Sequence, residues 1–384
     1  MKTPEEFNDI RPYDEEELAP VMEELIADPE FRAVAQYVMP QTPYDKLAQR
    51  LRACRSILEF QTSILQPLLD SLLDKCSKGF SLDSSELSDK NARHTYITNH
   101  RDIVTDSAFL NVGLMRNGFK QTAEIAIGDN LLIRPWIKKL VRLNKAFIVQ
   151  RTPGLREMLA SSAHLSRYIH YTVASRNSIW IAQREGRAKD SNDRTQDSIL
   201  KMMAMGGEGN PADRLKQLNI VPIALSYEYD PCDFLKAKEF QQKRDNPAFK
   251  KNKADDLNSM KIGIYGFKGR ILFRMADSIN PFLENLPPMP KNQFFTAVAQ
   301  HIDREIHSRY QLFPINYAAA DLLTNTTRFA PHYTAQEAQQ ADNYFQQQLS
   351  KIDLPHPDLP FLRERLLTMY ANPVFNQQAA KTNA

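Results

Sequence analysis

Apolar residues recur at helical spacing between Leu47 and Leu73 (Leu51, Cys54, Ile57, Leu58, Phe60, Ile64, Leu65, Leu68, Leu69, Leu72), which predicts one long amphipathic helix bent at Pro67. Beyond Asn91 the period changes. Short apolar runs of strand type at 95–98, 123–127, 146–149, 178–182 and 220–225 alternate with stretches long enough for helices. This alternation predicts an α/β fold, a largely parallel sheet flanked by helices. Between the two patterns, 77–91 is rich in Ser and Asp and reads as a loop or short edge strand that marks a boundary. Residues 230–256 are charge-dense and poor in apolar side chains, and read as a surface excursion between two strands. After Pro290 helices return, and a polar tail is expected from Gln377. The expected organisation is an N-terminal helical module over 1–76, an α/β domain over 77–290 and a C-terminal helical extension with polar tail over 291–384. No internal repeat of roughly 20 to 50 residues is present.

Composition narrows the class. With 384 residues, 42% hydrophobic and 25% charged, the chain is an ordinary globular one. No run of about 18 apolar residues occurs, so no transmembrane helix is expected. Lys plus Arg number 49 against 46 Asp plus Glu, a net charge of +3, too balanced to neutralise many phosphates of a nucleic acid. The three cysteines, Cys54, Cys76 and Cys232, are odd in number, widely spaced and without C-x-x-C, which argues against a disulfide framework or a zinc ribbon and fits a reducing cytosol. The start MKTPEEFNDI lacks the basic-then-apolar profile of a secretory signal, so a cytoplasmic location is expected. The first thirty residues are acidic, which reads as a solvated helical face with no chemistry assigned.

The most informative line runs from Thr95 to Asn111, where a strand delivers Asn99 and His100 to its C-terminal end and an apolar helical run follows. In open α/β sheets that edge binds ligands. A histidine there can remove a proton near neutral pH if a carboxylate fixes its tautomer, and Asp102 and Asp106 are the candidate partners. His100-Arg101-Asp102 imitates a kinase catalytic loop, but Ser107 stands where its Asn belongs and no glycine-rich loop exists. His164 with His170 and His301 with His307 are six apart, on different helix faces, so no metal site is assigned. The segment 131–151 carries Arg134, Lys138, Lys139, Arg142, Lys145 and Arg151 with Trp136, which fits either an interfacial helix on anionic lipid or a sheet-covering helix with a basic outer face. Arg151 directly follows a strand, and its guanidinium matches phosphate oxygens. A third strand runs into Glu185-Gly186-Arg187 and Lys189, and a fourth, Val221-Pro222-Ile223 through Tyr227, carries an early proline.

In order, these four segments resemble the glycerolipid acyltransferase family, which includes lysophosphatidate, glycerol-3-phosphate and dihydroxyacetone-phosphate acyltransferases. The counterparts of its motifs are Asn99-His100 with Asp106, Lys145 to Arg151, Glu185-Gly186-Arg187, and Val221-Pro222-Ile223 with Tyr227. The resemblance spans residues 79–275. Five residues rather than four separate His100 from Asp106, the second segment lacks a glycine before Phe147, and Arg184 and Arg187 stand where the family has Pro and Thr.

The resemblance implies His100 as general base oriented by Asp106, preferred over Asp102 because an extra residue can be absorbed in the turn. It implies Arg151, Arg187 and Lys189 around an anionic acceptor, Glu185 and Gly186 shaping the pocket, and Arg101 placed to help either anionic partner. The donor would be acyl-CoA or acyl carrier protein as co-substrate, the acceptor a glycerol-phosphate or lysolipid hydroxyl, with no cofactor and with peripheral attachment to an anionic membrane surface. Backbone N–H groups near the following helix would serve the oxyanion. The competing expectations are a non-catalytic lipid or acyl-carrier binding protein on the same fold, and acyl transfer to an amine or sugar hydroxyl.

Overall fold

The computed structural model describes residues 2–151 and 154–382. Seven strands form one sheet in the order β1-β7-β6-β2-β5-β3-β4, with β1 at Gly79–Asp83, β2 at Thr95–Thr98, β3 at Glu124–Gly128, β4 at Ala146–Val149, β5 at Ile179–Ala182, β6 at Ile220–Tyr227 and β7 at Arg270–Met275. Five strands, β6, β2, β5, β3 and β4, run parallel; β7 pairs antiparallel with β6, and β1 parallel with β7. The fold is α/β with a mostly parallel sheet between helices.

The chain order explains the placement. Every residue of β2 and β6 is buried, as central strands covered on both faces must be, and such strands read as unbroken runs. One face carries Ile97, Ile179, Ile181 and Ile220 against the helices Leu155–Ser175, Asp197–Met203 and Lys291–Ser308. The other carries Tyr96, Trp180, Val221 and Ile223 against Gln66–Cys76 and Thr105–Arg116. Phe109 and Leu110 of the last helix are wholly buried, each contributing about 1.5–3 kcal/mol. Pro222 is tolerated in a central strand because its carbonyl, and hence its missing N–H, faces the β7 side one residue before that pairing begins at Ile223.

Four expectations need correction. The helix expected over 47–73 is broken at 54–56 instead of bent at Pro67: Tyr44–Ala53 ends, Cys54 is extended, and Ser56 Oγ accepts from Glu59 N–H at 3.0 Å to start a new helix. Pro67 then lies where a π-helical turn, Gln61–Leu65, passes without a break into Gln66–Cys76, and the Ser63 carbonyl four residues before it accepts from Arg50 at 2.7 Å instead. Second, the strand expected beyond the excursion is β7, whose bounds the apolar pattern does not give because only alternate positions are buried and Arg270 and Arg274 lie on the other face. Third, the excursion at 230–256 is helical, Asp233–Asp245 followed by Lys253–Tyr265, and its polar residues Lys236, Glu239 and Gln241 are buried. Lys236 pairs with Asp230, and Gln241 Nε2 donates to His356 O at 2.8 Å, so the polarity is matched internally. Finally, the tail from Gln377 is the last part of the helix Leu359–Thr382, with Gln377 Nε2 donating to Tyr310 O at 2.6 Å.

The acidic N-terminal segment is likewise more than a solvated face. The helix Pro135–Leu143 lies under Leu18–Ala27 and Pro29–Val38, with Trp136 beside Phe31 and its indole N–H donating to Glu30 at 3.1 Å. Lys139 reaches Glu24 at 2.8 Å, and Arg142 lies 4.3 Å over the Tyr13 ring. Two cations of the basic segment, Lys139 and Arg134 at 3.6 Å from Glu30, thus meet acids of the same chain. Among the described residues no helix is long and apolar enough to cross a membrane.

Candidate active site

The parallel strands β2, β3, β4, β5 and β6 all end on one edge of the sheet, so the loops after them share that edge. At the end of β2, Asn99 is fully buried and clamps the neighbouring strand: its Nδ2 donates to Leu225 O at 3.0 Å and its Oδ1 accepts from Leu225 N–H at 2.8 Å. This side chain replaces the strand pairing where the ladder stops at Thr98, and it frees the backbone to turn at His100. Trp180 of β5 fixes the imidazole from the side. Its indole N–H donates to Thr98 Oγ1 at 3.0 Å, and its ring stands edge-on to His100 with centroids 5.9 Å apart.

His100 Nδ1 lies 2.8 Å from Asp106 Oδ2. Asp106 sits in the first turn of Thr105–Arg116, wholly buried. Its Oδ2 also accepts from Arg101 N–H at 2.7 Å and Asp102 N–H at 3.0 Å, and its Oδ1 accepts from the Tyr227 hydroxyl at 2.8 Å. Burial pushes the Tyr227 phenol well above its ordinary range, with the Asp106 charge adding to the shift, so it remains a donor. Every partner of this carboxylate is thus a donor, which places the imidazole proton on Nδ1 and the lone pair on Nε2. Nε2 has no hydrogen-bond partner among the described residues, and the side chain is 13% exposed. That is the arrangement of a base: proton held at the rear, lone pair free at the rim.

The five-residue spacing has a physical reason. Residues 101–104 form a turn that wraps Asp106 and presents two N–H groups to it, while Asp102 turns away to cap the helix, accepting from Val104 N–H at 2.9 Å and Thr105 N–H at 2.8 Å. Helix Lys253–Tyr265 crosses close by at Gly263, where a Cβ would lie 1.9 Å from Asp102 Oδ2. Four N–H groups of this turn are therefore already donating, and none of these four serves as the oxyanion donor expected from the sequence.

The remaining residues divide. Arg151 and Glu185 meet, Nη2 to Oε1 at 3.4 Å, with the guanidinium 49% exposed. Gly128 helps this crossing, since a Cβ there would press on Asn130 at 2.6 Å and touch Arg151 at 3.6 Å. Gly186 has φ +66°, the left-handed region that favours glycine, and so turns the loop after Glu185. Arg187 is half-buried, with Nη1 buried and lacking a hydrogen-bond partner among the described residues.

Arg101 and Lys189 do not join them. The expectation that Arg101 contacts substrate is corrected by its burial: it is 7% exposed, its Nη1 lies 2.8 Å from the wholly buried Asp193, and its carbonyl accepts from Lys236 Nζ at 3.2 Å. Burial pushes the Asp193 carboxyl up and Arg101 opposes it, so the two charges need each other. Tyr310 donates to Asp193 Oδ2 at 2.9 Å. Lys189 turns to Glu239. Sequence reasoning missed Trp180 and Asp193 as supports of the site and gave Tyr227 no contact; only Tyr227 carried a signal, as the last residue of the fourth segment.

No protein-family model matches the sequence, and no curated protein matches it. Among solved structures, the chain shows a distant similarity to the 1-acyl-sn-glycerophosphate (LPA) acyltransferase PlsC from Thermotoga maritima, with a TM-score of 0.38 and 10% sequence identity over 76% of this chain and 97% of that one.

Proposed function

We propose that the chain is an O-acyltransferase that moves a fatty acyl group from the thioester of acyl-CoA or acyl carrier protein to the hydroxyl of a glycerol-phosphate-type or lysolipid acceptor. The observation that carries this reading is the His100–Asp106 pair, with Nδ1 engaged at 2.8 Å and Nε2 unpartnered at the ligand-binding edge of the sheet. In the proposed step Nε2 takes the acceptor's hydroxyl proton as the oxygen attacks the thioester carbonyl carbon. The tetrahedral intermediate collapses, the C–S bond breaks, and the leaving thiolate takes the proton back from Nε2. Asp106 stabilises the imidazolium between these events, and no covalent enzyme intermediate is needed.

Arg151 and Arg187 are the cations assigned to the acceptor's phosphate, with Glu185 holding Arg151 in place until the anion arrives. Directly beyond this corner, Leu155, Met158 and Leu159 are exposed at the start of Leu155–Ser175. Three apolar side chains beside Arg151 and Arg156 fit peripheral contact with a lipid surface, where the acceptor would enter.

The test is release of free thiol from acyl-CoA and acyl carrier protein thioesters, with glycerol 3-phosphate and lysophosphatidate as acceptors. Acceptor-dependent release that disappears in His100→Ala is the expected result. Binding to anionic vesicles with no turnover across the panel would assign the fold to lipid binding instead, and full activity of His100→Ala would remove the base from the mechanism.

A further inference from the structure

We propose that Lys189, Lys243 and Lys251 form a binding site for the phosphate groups of a nucleotide-bearing acyl donor of the coenzyme A type; this rests on the acyl-transfer reading and assigns the donor's anionic end. The three ammonium groups converge on one carboxylate. Glu239 is 2% exposed; Lys189 and Lys243 contact its Oε1, the latter at 2.9 Å, and Lys251 contacts its Oε2 at 2.8 Å. One carboxylate offsets one ammonium. Among the described residues no other acid pairs with these lysines, so two positive charges are left over at a place where they repel each other. Burial, opposed by Glu239 and reinforced by Lys243 and Lys251, brings the Lys189 ammonium down to about 8, as such crowding requires.

The surplus is local. Of the other cations nearby, Lys236 is matched by Asp230 and Arg244 by Asp245 and Asp358, so the unmatched charge lies at the lysines around Glu239. Two of the three lysines come from the helical excursion between β6 and β7, and the third lies four residues beyond Glu185 on the loop after β5. The cluster therefore stands at the edge that carries His100, apart from the Arg151–Glu185 corner, and supplies a second anion site for a reaction with two anionic substrates. Lys189 and Lys251 are recessed, their side chains 27% and 22% exposed, which suits a slender phosphate rather than the broad acidic face of a protein.

Calorimetric titration of the full-length protein with coenzyme A, adenosine 3′,5′-bisphosphate, inorganic phosphate and pantetheine tests this without requiring turnover. The variants are Lys243→Ser with Lys251→Ser, which leaves the Lys189–Glu239 pair intact, and Lys250→Ser, an exposed lysine that makes no contact with Glu239. The double variant is expected to weaken coenzyme A and the bisphosphate by about tenfold or more each and to leave pantetheine unchanged, with Lys250→Ser like the wild type. Three results overturn the site: no binding of coenzyme A or the bisphosphate by the wild type, equal weakening in Lys250→Ser, or a double variant that binds both ligands as tightly as the wild type. Inorganic phosphate binding as tightly as the bisphosphate would overturn the nucleotide assignment. If the lysines fail while His100→Ala still abolishes transfer, only this site falls; if transfer is never seen while the titrations succeed, the reaction falls and the anion site stands.

Discussion

The turn after β2 and the polar cluster beneath the C-terminal helices are both dense in buried polar groups, yet they are built differently. Around Asp106 every partner is a neutral donor or an imidazole, and one nitrogen is left over at the rim. In the cluster, charges close on themselves: Arg101 on Asp193, Lys236 on Asp230, and Asp233 accepting from the Tyr344 and Tyr370 hydroxyls at 2.7 and 2.8 Å. The first arrangement leaves its unpartnered nitrogen at the rim, whereas the atoms of the second that lack a hydrogen bond, Arg101 Nη1 and Asp193 Oδ1, are buried within an ion pair. Burial and charge alone therefore do not mark chemistry; an unpartnered atom that reaches the rim of an otherwise satisfied network does.

The comparison breaks most readily at Arg101. Arg101→Met leaves Asp193 buried without its cation and should cost about 3–5 kcal/mol of stability, measured by denaturant unfolding, whereas a substrate-contacting arginine would lower activity with little change in stability. Asp106→Asn should lower thiol release by about a hundredfold or more in steady-state assays, because the imidazole loses both its orientation and its counter-charge. The same change should cost about 1–3 kcal/mol of stability as two backbone N–H groups face an amide.

Asp233 sharpens the contrast through pH. Burial, with Asp230 adding to it, pushes its carboxyl up to about 7 from an ordinary 3.8. Between these values the folded protein holds a proton that the unfolded chain has lost, so this group's contribution to stability falls as pH rises through that interval and levels off above it. Asp233→Asn should flatten the slope of Tm against pH between about pH 4 and pH 7, and an unchanged slope would show that the group does not titrate there. The smallest stability effect belongs to the exposed ion pair: Arg151→Met should change stability by less than about 1 kcal/mol while raising KM for a phosphorylated acceptor at constant kcat.

Much of the parallel sheet was legible because strands buried on both faces appear as short runs without charged residues at 95–98, 146–149, 179–182 and 220–227. The edge strand β1, which starts at a glycine with φ +142°, was legible only as a loop or short edge strand, and its inner neighbour β7 was obscured because it alternates exposed and buried positions. The helix Asp233–Asp245 was hidden because its buried residues are polar and find partners far along the chain, such as Gln241 with His356. His100 and its acids could be read from the line 95–111, but the choice between Asp102 and Asp106 depended on a turn whose hydrogen bonds no periodicity reveals. The inward course of Arg101 was illegible for a similar reason: its partner Asp193 lies on a different loop.

The central claim is that the His100 imidazole carries its proton on Nδ1 and presents a lone pair at Nε2. Nitrogen-15 NMR of histidine-labelled protein at pH 8, with His100→Gln identifying the resonances, measures this directly. The account predicts a protonated Nδ1 and an unprotonated Nε2 for His100 in the wild type, with the preference lost in Asp106→Asn. A protonated Nε2, or two nitrogens averaged by exchange in the wild type, would contradict it.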